Sequence, residues 1–214
     1  MDNLKKLGGI FAEMVENENS FGARWRNIPL GHQAFKLMTE KLPLRVKGEL
    51  TPYTRTVLLN KMLGCMPERD CARFFKQVQE YQMGLFSLMG DEDFPEDMEM
   101  DEYEGNLEGY VREYDEKEHR QAMKKIQDYL DPSISMDQWC ESYDVRLKFD
   151  PVERTQKWED CIYDVEKECD RILKDERKGM GFCYSYWSTK RSVLARHGIQ
   201  WDSPAVMNPR VMFD

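Results

Sequence analysis

The sequence predicts an all-α fold, and three observations support this prediction. Hydrophobic residues make up 41% of the 214-residue chain and charged residues 33%, a balance typical of helices that each bury one stripe. Glycine and proline are few and stand at expected helix ends. No segment alternates apolar and polar residues over the length of a strand. We therefore expect one compact multi-helical domain over residues 1–214, built on a helical hairpin and one long helix.

The first helices of the chain are predicted from apolar spacing alone. Apolar residues recur at helical spacing over residues 3–17 and again over residues 31–42. The stretch 18–30 between them mixes aromatic residues with Asn, Gly and Pro, and indicates an ordered loop.

Residues 51–89 predict an antiparallel helical hairpin. Thr51 is a favourable N-cap, and Pro52 occupies the first helical position, where its missing N–H is harmless. We expect Gly64 to end that helix as its C-terminal cap. A second helix is predicted over 67–89, and the short connection to it from 51–63 favours antiparallel packing.

The second half of the chain predicts four further helices, at 110–130, 136–143, 151–177 and 182–197. The third should be the longest, with Asp150 as its cap and Pro151 at its first position. Its predicted buried stripe consists of Trp158, Cys161, Ile162, Val165, Cys169, Ile172 and Leu173. Gly198 is placed to end the last helix in a left-handed conformation, with Ile199 making the accompanying apolar contact.

Charge is distributed unevenly along this acidic chain, whose net charge is −9. Residues 81–110 contain ten acidic residues and no basic one, and residues 111–176 have a net charge of −7. Residues 1–80 and 177–214 each have a net charge of +4. The two ends are therefore mildly basic and the middle is strongly acidic.

The acidic segment 90–109 is the one candidate loop or linker, because it shows neither helical nor strand periodicity. Three interpretations stay open: a mobile surface loop, a segment that folds back on the basic ends, and a surface that binds a basic partner or imitates a nucleic-acid backbone. Apolar residues within it could anchor such a partner. The candidate partner-binding residues here are Asp91, Glu92, Asp93, Phe94, Glu96, Asp97 and Tyr103.

The C-terminal tail, residues 198–214, is too apolar to remain free in water, and we expect it to dock on this protein or on a partner. Ser203-Pro204 and Asn208-Pro209 each combine a capping residue with proline, which predicts two short turns. The candidate partner-binding residues of the tail are Trp201, Met207, Met212 and Phe213.

The preceding helix interleaves aromatic and basic side chains. Intramolecular packing is the first interpretation, and a protein-docking surface the second. Stacking and phosphate contacts by residues 178–196 could also hold a single-stranded nucleic acid, although the chain as a whole is acidic. If the protein is instead an enzyme or a small-ligand protein, the expected pocket wall is Tyr184, Trp187, Lys190, Arg191 and His197.

No catalytic, cofactor-binding or metal-binding motif is predicted. Histidine is scarce, and His119 lies among charged residues, so we interpret it as part of a solvated face. Asp160, Asp164 and Glu168 recur every four residues, but the Glu-x-x-His motifs of helical di-metal sites are absent. The favoured function is therefore a non-catalytic protein-interaction or regulatory protein whose partner is another protein.

Several features predict a cytoplasmic protein without membrane contact. The six cysteines form no CxxC pair, and we interpret them as reduced, mostly buried thiols. The N-terminal apolar stretch is short and interrupted by glutamates, unlike a secretory signal. No run approaches the roughly 20 apolar residues that span a bilayer.

The tail sequence GIQWDSPAVMNPRVMFD resembles the C-termini of an uncharacterised family of bacterial proteins. The resemblance covers less than a fifth of the chain and contains no chemical motif. It implies a bacterial or phage setting and nothing about activity.

Overall fold

The protein is all-α over the part described by a computed structural model, which comprises residues 2–47, 49–90, 93 and 107–213, with side chains from Glu116 onwards in the last range. Apart from one antiparallel bridge between Val46 and Leu50, these residues form no β structure. The α-helices are α1 (Asp2–Asn19), α2 (Asn27–Lys36), α3 (Pro52–Gly64), α4 (Ala72–Phe86), α5 (Leu107–Leu130), α6 (Met136–Ser142), α7 (Gln156–Ile172), α8 (Phe182–Arg196) and α9 (Pro204–Met207).

The chain groups into two compact units. Unit 1 comprises Met1–Glu68 and Phe74–Ile126, and unit 2 comprises Arg69–Arg73 and Gln127–Asp214. The chain passes from one unit to the other at three points, and the last of these, after Ile126, falls within α5. Each unit has its own apolar interior, with Met14, Leu59 and Val78 among the buried residues of unit 1, and Trp158, Ile162 and Leu194 among those of unit 2.

In unit 1, one buried asparagine joins three segments. Asn27 is fully buried at the start of α2, and its amide nitrogen donates to the carbonyls of Met14 (2.8 Å) and Cys65 (2.9 Å). Its amide oxygen accepts from Asn17 at 2.9 Å. Because a buried amide without partners would be costly, these bonds fix α2 against α1 and the end of α3. The predicted loop 18–30 is correspondingly shorter, since α2 begins at residue 27.

The end of the second predicted helix is a π-helix, Leu37–Lys41, and not regular α-helix. Arg55, which is fully buried, donates to the carbonyls of Met38 and, at 2.6 Å, of Pro43. Burial lowers the pKa of Arg55, although nearby Tyr81 acts in the opposite direction. A buried cation thus supplies donors to carbonyls at the irregular end of this helix and just beyond it.

The predicted caps of the 51–89 hairpin are confirmed at one end only. The Thr51 hydroxyl accepts from the Thr54 backbone N–H at 3.2 Å, and Pro52 occupies the first turn of α3. Gly64, however, is still helical, and Cys65 ends the helix with a right-handed φ of −82°. The expected glycine cap is therefore wrong, because no left-handed residue is needed there. A 3₁₀ turn, Glu68–Cys71, then precedes α4.

In unit 2, the predicted helix 151–177 is divided. Asp150 caps a 3₁₀ turn, Pro151–Arg154, by accepting from the Val152 N–H at 2.9 Å. Thr155 is extended (ψ 153°) and becomes the N-cap of α7. This helix is therefore 17 residues long, whereas α5 has 24, so the predicted longest helix is wrong. The Thr155 hydroxyl accepts from the Trp158 N–H at 3.3 Å, so the new helix start has its own side-chain cap.

The predicted stripe of α7 is confirmed except at two positions: Cys161 is half-buried and Ile172 is exposed. The predicted end of α8 is confirmed. Gly198 has a φ of +67°, and the Ile199 N–H donates to the Leu194 carbonyl at 3.0 Å, as in a Schellman motif. Ile199 is buried, so this turn directs the tail towards the interior of unit 2.

Candidate functional site

The helix pair α7 and α8 of unit 2 carries most of the side chains that the sequence singles out. The two helices pack against each other. Residues three or four apart share one face of a helix, so Tyr186 and Lys190 lie on the same face of α8 as the buried Val193. Tyr184 and Trp187 lie on another face. The interleaved aromatic and basic pattern is thereby separated into an interior set and an exterior set.

The interior set is a hydrogen-bonded group that we call the lysine cluster: Glu166 of α7 with Tyr186 and Lys190 of α8. The Lys190 ammonium donates to Glu166 Oε1 at 2.6 Å. The Tyr186 hydroxyl donates to the same carboxylate, whose two oxygens lie 2.6 and 2.7 Å away. The charged side chains are only 9% and 8% exposed for Lys190 and Glu166, so the pair is a buried ion pair.

Aromatic rings surround the same ammonium group. Lys190 Nζ lies 4.9 Å from the ring centre of Trp158, 5.5 Å from that of Trp201 and 5.7 Å from that of Tyr186. Cations within about 6 Å of an aromatic face are attracted by the ring quadrupole. The Lys190 ammonium therefore contacts a carboxylate and several aromatic rings. These contacts compensate for the loss of its hydration.

The charge states of the lysine cluster follow from its burial and its partners. Burial by itself would lower the pKa of Lys190, but the Tyr186 and Glu166 oxygens raise it well above its ordinary value. Burial, together with the Glu166 carboxylate, raises the pKa of Tyr186 well above its ordinary value, although Lys190 opposes this. At neutral pH, Lys190 is therefore a cation and Tyr186 a neutral hydrogen-bond donor. A lysine nucleophile needs the opposite, a lowered pKa.

Two indole groups next to the lysine cluster donate to carboxylates. Trp201 Nε1 donates to Glu153 Oε1 at 2.9 Å, and Trp158 Nε1 donates to Asp70 Oδ1 at 3.0 Å. Burial raises the pKa of Glu153, while Arg69, whose guanidinium lies 3.5 Å from Glu153 Oε2, and the Trp201 bond lower it. The side chains around Lys190 are thus mutually satisfied within unit 2.

The tail docks on its own chain. Trp201 is buried, and Asn208 exchanges two hydrogen bonds of 2.9 Å with the backbone N–H and carbonyl of Lys148. The Gly198 carbonyl accepts from Lys157 at 2.6 Å, and the Asp202 N–H donates to Asp150 at 2.6 Å. The tail as far as residue 208 is therefore part of the folded body of unit 2.

The last residues of the tail form an exposed apolar surface with α8, which we call the C-terminal patch: Tyr184, Trp187, Met212 and Phe213. The Trp187 ring makes edge-to-face contacts with Phe213 (5.1 Å between centres, 90°) and with Tyr184 (5.5 Å, 80°). Tyr184 is 51% exposed and Met212 is 95% exposed. Phe213 and Trp187 are half-buried and in contact with each other, whereas Tyr184 and Met212 present apolar surface to water.

Two of the tail residues predicted to bind a partner lie outside the C-terminal patch. Trp201 is buried in the interior of unit 2, and Met207, at the end of α9, is half-buried. Of the four tail residues singled out from the sequence, the structure thus places Met212 and Phe213 together at the surface.

The five residues predicted to line a ligand pocket do not converge on one point. Lys190 is turned inward and fully engaged, whereas Arg191 and His197 are exposed. The Arg191 side chain donates to the Trp201 carbonyl at 3.3 Å, and its guanidinium lies 4.0 Å from Asp202. The remaining two residues, Tyr184 and Trp187, belong to the C-terminal patch.

Among the acidic residues predicted to bind a partner, Asp93 is the one that the structure describes. It is 3% exposed, and Arg45 donates to both of its carboxylate oxygens at 2.9 and 2.7 Å. The Thr51 hydroxyl donates to its backbone carbonyl at 2.9 Å. The Arg45 bonds lower the pKa of Asp93, with the Gly90 N–H acting in the same direction. Asp91, Glu92, Phe94, Glu96, Asp97 and Tyr103 lie outside the described residues.

His119 is buried, so its interpretation as part of a solvated face is wrong. It is 7% exposed, its Nε2 lies 3.2 Å from Asn60 Oδ1, and its ring packs edge-on against Phe86 at 5.1 Å. Gln82 donates to the same Asn60 oxygen at 2.7 Å. The sequence could not distinguish this position, because its immediate neighbours are charged. In the described part of the chain, no group of three or more His, Cys, Asp or Glu is arranged to hold a metal ion.

Sequence reasoning missed Glu166, the acidic member of the lysine cluster, although a signal was present. Glu166 lies four residues after Ile162 and three before Cys169, so it stands on the apolar stripe of α7. Lys190 stands on the apolar stripe of α8 in the same way. An acidic residue on the buried stripe of one helix predicts a basic residue on the buried stripe of a neighbouring helix. The reason is that burying either charge without its partner is costly.

No protein-family model, no curated protein and no solved structure matches this chain. No helix among the described residues has both the length and the apolar character to cross a membrane.

Proposed function

We propose that this chain is a non-catalytic protein-interaction or regulatory protein that binds a partner through the C-terminal patch. One observation carries the proposal: a tail that is anchored as far as residue 208 presents an exposed methionine beside a half-buried phenylalanine. Met212 is 95% exposed, and it adjoins Phe213, whose ring packs on Trp187. Exposed apolar groups that are clustered, and not scattered singly, are typical of interaction sites. Aromatic residues and methionine are also enriched in protein interfaces.

The anchoring of the tail supports this proposal further. Trp201 and Asn208 attach the tail to unit 2 before residues 212 and 213 are reached. A partner would therefore meet the contact between Phe213 and Trp187 already formed. Such preorganisation reduces the conformational entropy lost on binding, and so increases affinity for a given contact area.

The acidic segment 90–109 is proposed as a second contributor, on sequence grounds. Ten acidic residues and no basic one occur over residues 81–110. Long-range attraction from such a segment accelerates the encounter with a basic partner. Within it, Asp93 is bonded to Arg45 inside unit 1, so the residues proposed to contact a partner are the others.

We further propose a cytoplasmic setting. All six cysteines are free thiols, and four of them are buried. Burial raises the pKa of Cys65 to about 11 and that of Cys169 to about 12, which suppresses thiolate chemistry at neutral pH. Unpaired thiols are typical of proteins in reducing compartments. The resemblance of the tail to a bacterial family supports a bacterial or phage setting.

The test is affinity capture from a lysate of cells that naturally produce the chain. The full chain is one bait, and a Tyr184→Ser, Met212→Ser variant is the second. Truncation at Gly198 would be a poor alternative, because it removes Trp201 and Asn208 and exposes the interior that they cover. Phe21→Ser, which alters an 81% exposed side chain of unit 1, is the matched control.

We expect one specific protein to be retained by the wild-type and Phe21→Ser baits and lost by the double variant. Circular dichroism and thermal unfolding should show that all three baits are equally folded, since the altered side chains are exposed. Retention of the same protein by the double variant would place the binding site elsewhere. If no bait retains a specific protein, the interaction proposal fails.

A further inference from the structure

The Lys190 ammonium is enclosed by four side chains from three segments of unit 2, which we call the ammonium shell: Trp158 and Glu166 of α7, Tyr186 of α8 and Trp201 of the tail. Glu166 accepts from Lys190 at 2.6 Å, and the three ring centres lie 4.9, 5.5 and 5.7 Å from the ammonium nitrogen. The Lys190 side chain is 9% exposed. The shell therefore offers one ammonium group a charged acceptor and ring faces in an enclosed place.

The walls of the ammonium shell are fixed by bonds that do not involve Lys190. The Tyr186 hydroxyl donates to the Glu166 carboxylate, whose oxygens lie 2.6 and 2.7 Å away. The Trp201 and Trp158 indole groups each donate to a carboxylate, at 2.9 and 3.0 Å. Because these bonds remain when the lysine is shortened, we expect the shell to keep its shape, and a preorganised site loses little entropy on binding.

The charges around the ammonium shell select a cation. Glu166 is 8% exposed, and a buried carboxylate without its cation is costly. The carboxylates of Asp70 and Glu153, which accept from the two indoles, also lie within electrostatic reach of Lys190. A divalent metal ion fits this shell poorly, because it needs about six oxygen ligands and the walls are mostly aromatic rings.

We propose that the ammonium shell is a binding site for a primary alkylammonium ion, which the wild-type chain fills with its own Lys190. The inference is independent of the partner of the C-terminal patch. The tethered amine has a high effective concentration, so it excludes free amines from the wild-type protein. Lys190→Ala retains Cβ and removes three carbons with the ammonium group. The matching free ligand is therefore n-propylammonium, which can donate to Glu166 and contact the three rings.

The test uses the full chain carrying Lys190→Ala and n-propylammonium chloride as the probe. Urea denaturation is followed by circular dichroism at constant ionic strength, with sodium chloride replacing the probe. With a Kd of about 10 mM, about 100 mM probe should raise the ratio of folded to unfolded chain roughly tenfold. Wild-type protein should show no such rise. Saturation-transfer NMR should detect the probe bound to Lys190→Ala and not to wild type.

Two variants and one neutral compound provide the controls. Leu194→Ala removes a fully buried apolar side chain from the same helix, so it is a destabilised chain without a vacated ammonium position. The double variant Glu166→Gln, Lys190→Ala retains the rings and removes the charge, and it should bind the probe at least several-fold more weakly. The neutral compound 1-propanol has the length of the probe without its charge, and it should not replace the probe.

Any of three results would overturn the inference: an equal effect of the probe on Leu194→Ala, equal effectiveness of 1-propanol, or equal binding by the double variant. If Lys190→Ala is unfolded in buffer, the titration is carried out in sucrose, which favours the folded state. Failure of the probe to increase helical circular dichroism there would equally reject the site. None of these results bears on the affinity-capture experiment, which uses other residues.

Discussion

Two ion pairs join the same two helices of unit 2, and they differ chiefly in burial. Glu166 and Lys190 meet at 2.6 Å with side chains 8% and 9% exposed, whereas Glu168 and Arg196 meet at 2.9 Å with side chains 30% and 57% exposed. Glu166 and Glu168 are two positions apart on α7, so they point to opposite sides of the helix, one inward and the other outward. Each pair joins a glutamate of α7 to a base of α8 at a similar distance, and Glu168 also lies 3.3 Å from Arg171 of its own helix. Burial is the main difference between the surroundings of the two pairs.

Breaking the buried pair should reduce the stability of the folded protein strongly, whereas breaking the exposed pair should change it little. Lys190 has lost its water and depends on Glu166 and on the rings of Trp158 and Trp201. Arg196 can exchange Glu168 for water at little expense. Removing one member of each pair therefore compares an uncompensated buried charge with a rehydrated surface charge.

The largest effect is expected from Lys190→Ala. It leaves the Glu166 carboxylate buried without its cation, and we expect the free energy of unfolding to fall by about 3–5 kcal/mol. Urea denaturation followed by circular dichroism measures this change. A loss below about 1 kcal/mol would show that Glu166 is rehydrated or protonated without difficulty, and the contrast between the pairs would disappear.

A triple variant tests whether the loss arises from unpaired charge or from lost packing. Glu166→Leu, Tyr186→Phe, Lys190→Met replaces the whole lysine cluster with apolar groups of similar size, and leaves no buried donor without an acceptor. We expect its stability to lie much closer to wild type than that of Lys190→Ala, because apolar replacement of a complete buried pair is often neutral. Equal loss in both variants would assign the effect to packing.

The next largest effect is expected from Tyr186→Phe. The hydroxyl donates to the Glu166 carboxylate, and hydrogen bonds to charged groups contribute about 1.5–3 kcal/mol. Glu166 retains Lys190, so the loss should be smaller than in Lys190→Ala. Tyr184→Phe, on the same helix as Tyr186 but half-exposed and outside the lysine cluster, provides a tyrosine control by the same urea titration. A loss in Tyr186→Phe no greater than in this control would remove Tyr186 from the cluster.

Alkaline pH should reveal the lysine cluster as a loss of stability. The pKa values of Lys190 and Tyr186 are both raised in the folded state. Above about pH 10, the unfolded chain releases protons that the folded chain retains. Stability contributed by these groups is therefore complete below pH 10 and declines as pH rises, by up to about 1.4 kcal/mol per pH unit for each proton.

The triple variant provides the reference for this measurement, because other lysines and tyrosines titrate in the same range. The wild-type protein should lose stability more steeply than the triple variant between pH 9 and pH 11, in urea titrations at each pH. Parallel curves would mean that neither proton is held more tightly in the folded protein.

The smallest effect is expected from Arg196→Ala. Exposed ion pairs contribute about 0.2–1 kcal/mol, and salt screens them. The change in the free energy of unfolding should thus be under about 1 kcal/mol at low ionic strength and smaller at high ionic strength. Thermal unfolding at two salt concentrations measures it. A loss comparable with that of Lys190→Ala would show that burial does not separate the two pairs.

Much of the fold was predictable because it depends on residues close together in sequence. Thr51 with Pro52 marks the start of α3, and Gly198 with Ile199 marks the end of α8; both predictions are confirmed. Caps and turns of this kind are local, since their donors and acceptors lie within a few residues of one another. The apolar stripe of α7 is likewise a property of spacing along one helix.

Only part of the candidate site was predictable, because the sequence identifies the side chains but not the direction in which each one points. The aromatic and basic pattern of α8 identifies Tyr184, Trp187 and Lys190, but does not show which side chains face inward. His119 has charged neighbours and is nevertheless buried against Phe86. In each case the outcome depends on a side chain from another helix, which local sequence does not specify.

The all-α class, the local caps and the apolar faces of the helices can be predicted from the order of residues alone, because they follow from periodicity and short-range hydrogen bonding. Tertiary structure decided the pairing of Glu166 with Lys190, the burial of Trp201, and the exposure of Met212. Those outcomes depend on which segments meet, and burying a charge is tolerable only when a partner distant in sequence compensates for it.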